Sequence, residues 1–380
     1  MDLPLGFQQA GTSNSKVCKL RKCLYGLKQA SRQWNIKLTE ALLEAGYSQS
    51  AHDHSLFIKK EGADSAAILV YVDDLLITGN SSQLIQEAKT TLHANFKMKD
   101  LGSLKYFFGI EVLKSKDGIL LNQRKYIQQL ISEAGLSGAK VVRTPLQFNH
   151  KLTSVEFDQH LGTTNDPELE DITAYQRLIG KLLYLTITRH HICFSIQVLS
   201  QFMQHPKVSH WEAALRIVRY IKNSPGLGVL LKRGTGPTTL TSYCDFDWAS
   251  CPNTRRSVTG YTVKLGDSLI SWKSKKQQTI SRSSAEAKYR SLAALFAELV
   301  WLAGLLKELH VPITYPISVF TDSKSVIQIA ENPIFHERTK HIEIDCHFIR
   351  EKVKSNFISP QYLCTALQLA DILTKGLGAH

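Results

Sequence analysis

The sequence predicts an α+β module, then a mostly helical stretch, then a module of three strands, a long helix, a strand and further helices. Three observations carry this reading. Ile68-Leu69-Val70 and Leu75-Leu76-Ile77 bracket Tyr71-Val72-Asp73-Asp74, the pattern of a β-hairpin with acids at its tip. From about Ser137 to Gly236 the apolar spacing is mainly helical. Beyond the linker-like Gly234-Thr235-Gly236-Pro237, strand-like runs precede a long apolar helix.

The elements follow in order. Gln29 to Ala45 reads as a helix with Trp34, Leu38, Ala41, Leu42 and Ala45 on one stripe and Gly46 just past its end. Leu56-Phe57-Ile58 is a strand, followed by the acidic hairpin, and Ser82 to Phe96 returns to helical spacing. Tyr106 to Leu113 and Ile119 to Leu121 flank the turn signal Asp117-Gly118. Arg124 to Ala134 is a helix stopped by Gly135. Helices against an antiparallel sheet make the α+β module. Leu146 to Asp171 is polar and irregular, a loop with a turn at Asn165-Asp166-Pro167. Helices are expected over Tyr175 to Thr186, Ile192 to Met203 and Trp211 to Ile221. Strands follow at Leu240 to Trp248, Val258 to Leu265 and Ser268 to Trp272, then the helix Ser283 to Leu309. Ile317 to Thr321 reads as a buried strand, with helices at His341 to Val353 and Gln368 to Thr374.

A chain of 380 residues has room for two or three domains. Its 43% hydrophobic content supports packed cores rather than disorder. A formal charge of +13 favours a polyanionic partner, nucleic acid first. The seven cysteines are odd in number and form no C-x-x-C pair, which argues against a disulfide framework and for a reducing, intracellular setting. No signal peptide is visible, and no apolar run is long enough for a membrane span.

Two adjacent carboxylates at a buried hairpin tip would need an offsetting cation, and hard oxygen ligands suit Mg²⁺; an ordinary acidic turn is the other reading. The stretch resembles the metal-binding hairpin of reverse transcriptases. Cys23-Leu24-Tyr25-Gly26-Leu27-Lys28-Gln29-Ala30-Ser31-Arg32-Gln33-Trp34 resembles the nucleotide-pocket motif of Ty1/copia-type retrotransposon polymerases. Phe107-Phe108-Gly109-Ile110-Glu111-Val112 resembles a later palm strand. Ser283-Ser284-Ala285-Glu286-Ala287-Lys288-Tyr289 and Arg338-Thr339-Lys340-His341-Ile342 resemble the ribonuclease H domain that follows. The likeness covers nearly the whole chain in the family's order. It implies an α+β reverse-transcriptase palm (1–136), a helical thumb/connection (137–237) and an α/β ribonuclease H-like domain with a mixed sheet (238–377). The family also needs a further Asp in a motif preceding Pro4-Leu5-Gly6-Phe7. The palm is therefore expected to be N-terminally truncated, without fingers or first catalytic Asp, and primer extension by this chain alone is not expected.

The resemblance implies Asp73 and Asp74 as polymerase metal ligands, and Tyr25, Gly26, Lys28, Gln29 and Tyr71 as nucleotide or nucleic-acid contacts. It implies Asp245, Glu286, Asp322 and Asp371 as catalytic metal ligands of the nuclease, with Arg282, Ser284 and Lys340 touching the substrate. Two Mg²⁺ ions per active site, with Mn²⁺ as substitute, would serve hydrolysis of RNA in an RNA–DNA hybrid. An RNA template and a DNA primer are the further implied partners.

Each nuclease acid also has a plainer reading. Asp247 shares a strand face with Asp245, so either suits the ligand role; the motif places it at Asp245. Glu286 completes a capping box from Ser283, Asp322 could cap a following helix, and Asp371 could be exposed. Phe246 and Lys288 depart from the family's usual small residue and acid. No histidine stands in Tyr362-Leu363-Cys364-Thr365-Ala366, where some ribonucleases H place one. Lys16, Lys19, Arg21, Lys22, Lys28 and Arg32, and Arg255, Arg256, Lys273, Lys275, Lys276 and Arg282, form two basic clusters suited to phosphates. Trp248, Trp272 and Tyr289 could stack on bases, with core packing favoured for at least two. His336, His341, Cys346 and His347 match no standard zinc spacing. The competing class is a non-enzymatic relic or a basic nucleic-acid-binding protein.

Overall fold

The computed structural model describes Leu24, residues 26–147, 151–162, 165–234, 238–324, Ile327 and residues 343–376. Two compact units result, Met1–Gly102 and Ser103–His380.

The first unit sets two helices, α1 (Ala30–Glu44) and α2 (Ser82–Asn95), with an antiparallel sheet in the order β1 (Ser48–Gln49), β2 (Leu56–Glu61), β3 (Asp64–Tyr71), β4 (Asp74–Gly79). In β3 the side chains of Ala66, Ile68 and Val70 are buried, the period of two that a one-sided sheet requires. They join Leu38 and Leu42 of α1 and Leu84, Ala88 and Leu92 of α2 in one core. The predicted elements here all form.

The second unit holds two sheets and a helical cluster. Its first sheet runs β5 (Tyr106–Phe107), β6 (Ile110–Ser115), β7 (Gly118–Asn122) and β8 (Gly228–Lys232), all antiparallel. The sequence suggests one strand from Tyr106 to Leu113. The chain instead reverses at Phe108-Gly109, both at positive φ (46° and 77°), the conformation a two-residue hairpin needs. Strand β8 was hidden inside the stretch read as helical.

The helical cluster comprises α3 (Arg124–Glu133), α4 (Val155–Leu161), α5 (Ile172–Leu185), α6 (Cys193–Leu199) and α7 (Val208–Ile221). Helices α3, α5, α6 and α7 share a core that includes Ile127, Tyr175, Ile179, Ile196 and Ile217. Helix α4 corrects the expected loop over Leu146 to Asp171. Ser154 caps it by accepting from the Phe157 N–H, and Glu156 and Asp158 stand in its first turn, where acids favour the helix dipole.

The last sheet is mixed, in the order β11 (Ser268–Lys276), β10 (Val258–Leu265), β9 (Thr239–Asp247), β12 (Thr314–Thr321), β13 (Ile358–Tyr362). The first three strands are antiparallel, and β12 runs parallel to both β9 and β13. This is the ribonuclease H-like arrangement the resemblance implies, with an edge strand, β13, that the sequence reading missed. Helix α8 (Ser284–Glu308) buries Leu292, Leu295, Phe296 and Leu299 against the sheet, and Ile349 of α9 (Glu343–Lys354) joins the same core. Helix α8 is long and apolar enough to cross a membrane by length and composition. That corrects the view that no run reaches such a length; here the apolar face is core. Leu369–Leu373, expected as α-helix, forms a 3-10 helix.

Candidate active site

The last sheet brings three of the four predicted nuclease acids to one place. Strand β9 delivers Asp245 with only 2% of its side chain exposed. Strand β12 runs beside it in parallel, with Phe320 opposite Tyr243. Two residues further along each strand come Asp322 and Asp245. The 3-10 segment Leu369–Leu373 packs over β9 and β10 and brings Asp371.

Gly260 makes that last approach feasible. It pairs with Asp245 across the β10–β9 register. A Cβ on Gly260 would lie 2.5 Å from Thr374 Cγ2 and 3.0 Å from Leu373 Cβ. Only glycine lets the segment lie this close to the sheet.

One ammonium joins the acids. Lys375 Nζ lies 3.3 Å from Asp245 Oδ2 and 3.2 Å from Asp371 Oδ1. The Thr374 hydroxyl also donates to Asp245 Oδ2. Burial and then the Asp245 carboxylate push the Asp371 carboxyl up to about 6, against the opposing pull of Lys375. Burial alone would weaken the Lys375 charge, yet Asp245 and Asp371 hold its pKa above the ordinary lysine value. Burial also raises Asp247, which feels Lys375 and Asp245. Burial, followed by the charges of Asp245 and Asp322, drives the Cys244 thiol upward. Asp322 Oδ2 accepts from Thr365 Oγ1 at 3.3 Å, and among the described residues nothing hydrogen-bonds the buried Asp322 Oδ1.

Glu286 stands apart from this group in its bonding. Its Oε2 accepts from the Arg282 N–H at 2.7 Å, its Oε1 accepts from Arg290 Nη2 at 2.8 Å, and its own N–H donates to Ser283 Oγ. Half of the capping box read from the sequence is realised: Ser283 caps the helix, while the Glu286 carboxylate takes the Arg282 N–H rather than that of Ser283. Among the described residues no three His, Cys, Asp or Glu side chains stand ready as a metal cage. Asp245 and Asp371 nevertheless suit a hard cation in kind, as carboxylate oxygens that share one ammonium, and Asp322 at the end of the neighbouring strand offers a further oxygen with no hydrogen bond among the described residues.

The plainer reading of Asp371 as an exposed acid fails, since only 18% of its side chain is exposed. Phe246 and Lys288, the two departures from the family pattern, meet each other: Lys288 Nζ lies 4.9 Å from the Phe246 ring centre. Tyr289 is core, Trp272 Nε1 donates to Thr186 O, and Trp248 is exposed with Nε1 donating to Ser281 O. Cys346 is core as well. Arg282 and Ser284 are exposed at the start of α8. Lys340, Tyr25, His336 and His341 lie outside the described residues, as does the Pro4–Phe7 segment. Lys375 and Thr374 were missed as participants, although they stand four and three residues after Asp371 in Leu369-Ala370-Asp371-Ile372-Leu373-Thr374-Lys375.

The hairpin of the first unit forms with Tyr71 opposite Asp74 and Val72-Asp73 as its two-residue tip. Val72 takes a positive φ of 48°. Asp73 and Asp74 are both exposed, which corrects the premise that they are buried and so must have a cation. Water screens such a pair. Gly26, Lys28 and Gln29 are exposed just ahead of α1.

A mixed sheet of this order, with acids on its central strands, defines a ribonuclease H-like domain behind a reverse transcriptase region. The reverse transcriptase (RNA-dependent DNA polymerase) family matches residues 1–148. The chain belongs to the Ty1/copia-type retrotransposon Pol polyprotein family. It is 42% identical over 99% of its length to the retrovirus-related Pol polyprotein from transposon RE1 of Arabidopsis thaliana, of which it spans 25%. It is 32% identical over 79% of its length to a transposon Ty5-1 protein of Saccharomyces cerevisiae (strain S288c), covering 96% of that protein. The foamy viral protease-reverse transcriptase solved with double-stranded DNA is similar over 88% of this chain and 49% of its own, at 12% identity and a TM-score of 0.46. The chain spans about a quarter of the length of the Arabidopsis Pol polyproteins it matches.

Proposed function

We propose that this chain hydrolyses the RNA strand of RNA–DNA hybrids with Mg²⁺, and that Asp245, Asp322 and Asp371 are the residues that hold the metal. The observation that carries the reading is the convergence of Asp245 and Asp371 on one ammonium, with Asp322 at the end of the neighbouring parallel strand. Bound divalent ions supply an activated water and charge neutralisation at the leaving oxygen. The chain's own groups do the positioning. Thr374 holds the Asp245 carboxylate by its hydroxyl, and Gly260 admits the segment carrying Asp371. Arg282, Ser284 and Lys340, with the basic cluster Arg255, Arg256, Lys273, Lys275 and Lys276, are proposed to grip the hybrid's phosphates.

Asp73, Asp74, Gly26, Lys28, Gln29, Tyr25 and Tyr71 keep their proposed polymerase roles toward template, primer and nucleotide. Two exposed acids do not organise two metals, and no third joins them among the described residues. Primer extension is therefore proposed to need a further carboxylate that this tip does not present. The functional segments proposed are palm 1–136, thumb/connection 137–237 and nuclease 238–377, in an intracellular setting. Helix α3 packs with the thumb helices, so the first boundary is functional rather than one of packing.

The test is a labelled RNA–DNA hybrid incubated with the purified chain, with and without Mg²⁺. Cutting of the RNA strand is expected, dependent on Mg²⁺ and abolished by Asp322→Asn. A second reading, a basic nucleic-acid-binding protein without catalysis, is favoured by the engagement of Glu286 with Arg282 and Arg290. It would show as hybrid binding with no cutting.

A further inference from the structure

Lys375 is unlike the other basic residues proposed to meet nucleic acid. Its side chain is 37% exposed and its ammonium points inward, shared by two carboxylates from separate elements. An ammonium between two largely covered acids supplies what a hard cation would: charge neutralisation at the oxygens that are the proposed ligands. The position is built, since Gly260 lets the segment close and the neighbouring Thr374 hydroxyl fixes Asp245. A lysine stem is long and flexible, and its partial exposure gives the ammonium a route to solvent.

We propose that Lys375 is a resident counter-ion of the Asp245–Asp371 pair, which a divalent metal must displace, so that Lys375 sets the metal concentration the site requires. The inference rests on the nuclease reading for its choice of metal ligands. It goes beyond that reading by making a positively charged side chain a competitor for the metal. Lys375 acts here as a positioning residue, through the two acids.

Binding of Mn²⁺ to the full chain, followed by isothermal titration calorimetry, tests this directly. Lys375→Met is expected to bind Mn²⁺ about tenfold more tightly than the parent, the effect of removing one competing charge beside two ligands. Lys375→Arg keeps the charge and is expected to stay close to the parent. Melting without metal gives an independent readout: Lys375→Met is expected to melt below the parent and to gain more from saturating Mn²⁺. If Lys375→Met is too unstable to titrate, Lys375→Gln carries the same expectation. Equal or weaker Mn²⁺ binding by the uncharged variants overturns the inference, as does absence of Mn²⁺ binding by every form. Hybrid cutting that persists without an affinity difference overturns the inference alone. An affinity difference in protein that never cuts hybrid overturns the nuclease reading and leaves the inference standing.

Discussion

Gly260 shows how one residue can govern a site without touching chemistry. The hydrogen in place of a methyl group leaves room for Thr374, Leu373 and the Ala370 carbonyl. Gly260→Ala must push the Leu369–Leu373 segment off the sheet, and Asp371 with it. Overpacking of this kind costs about 1–3 kcal/mol. Loss of hybrid cutting by tenfold or more is expected, with a lowered melting temperature; an unchanged rate would show that the segment's position does not matter. His210 carries a different consequence. It is fully buried, stacked on Phe202, and accepts from the Lys207 N–H through Nδ1. Burial, then the Lys207 charge, lowers its pKa from 6.5 to about 4. The unfolded chain therefore binds the proton first as pH falls. The stability from neutral His210 is full above about pH 6.5 and is lost progressively toward pH 4, by up to roughly 3 kcal/mol. Melting at pH 7.5 and pH 5 is expected to show this loss, and His210→Gln should flatten the difference.

Among the elements, the link between α4 and the start of α7 depends on a buried charge. Lys207 is 3% exposed and pairs with Asp158 of α4 and, at 3.1 Å, with Asp166. Asp158 and Asp166 are only partly covered, so removing Lys207 leaves two partly solvated carboxylates without their partner, at a cost of about 1–3 kcal/mol. Lys207→Met is expected to destabilise by that amount in a denaturant titration, and a change under 1 kcal/mol would contradict the burial argument. Nothing local in the sequence announces this cluster, because its partners lie some forty to fifty residues away. Helix α4 was illegible for a related reason. It has no buried residue and so no apolar stripe to read. The first-unit hairpin and α2 were legible because each buries one face and so repeats with its own period. Strand β13 escaped notice because Ser359, Pro360 and Gln361 interrupt its apolar pattern. At the sheet edge a proline is tolerated, since one side needs no ladder partner.

At the scale of the whole molecule, the site was legible as four separate acids but not as a constellation. Motif likeness pointed to Asp245, Glu286, Asp322 and Asp371. Only the parallel β9–β12 pairing and the packed segment after β13 bring three of them together, while Glu286 bonds to its own helix start. Lys375 was invisible as a participant because a lysine following an acid usually reads as surface charge. The formal charge of +13 suits a polyanionic duplex, but charge alone would serve binding without cutting. The decisive measurement is strand-specific cleavage of an RNA–DNA hybrid by the purified chain in Mg²⁺, the parent compared with Asp245→Asn, Asp322→Asn and Asp371→Asn. The account requires the RNA strand to be cut by the parent and by none of the three variants, all of which still bind the hybrid. Undiminished cutting by any one of them, or no cutting by the parent at any Mg²⁺ concentration, would contradict it.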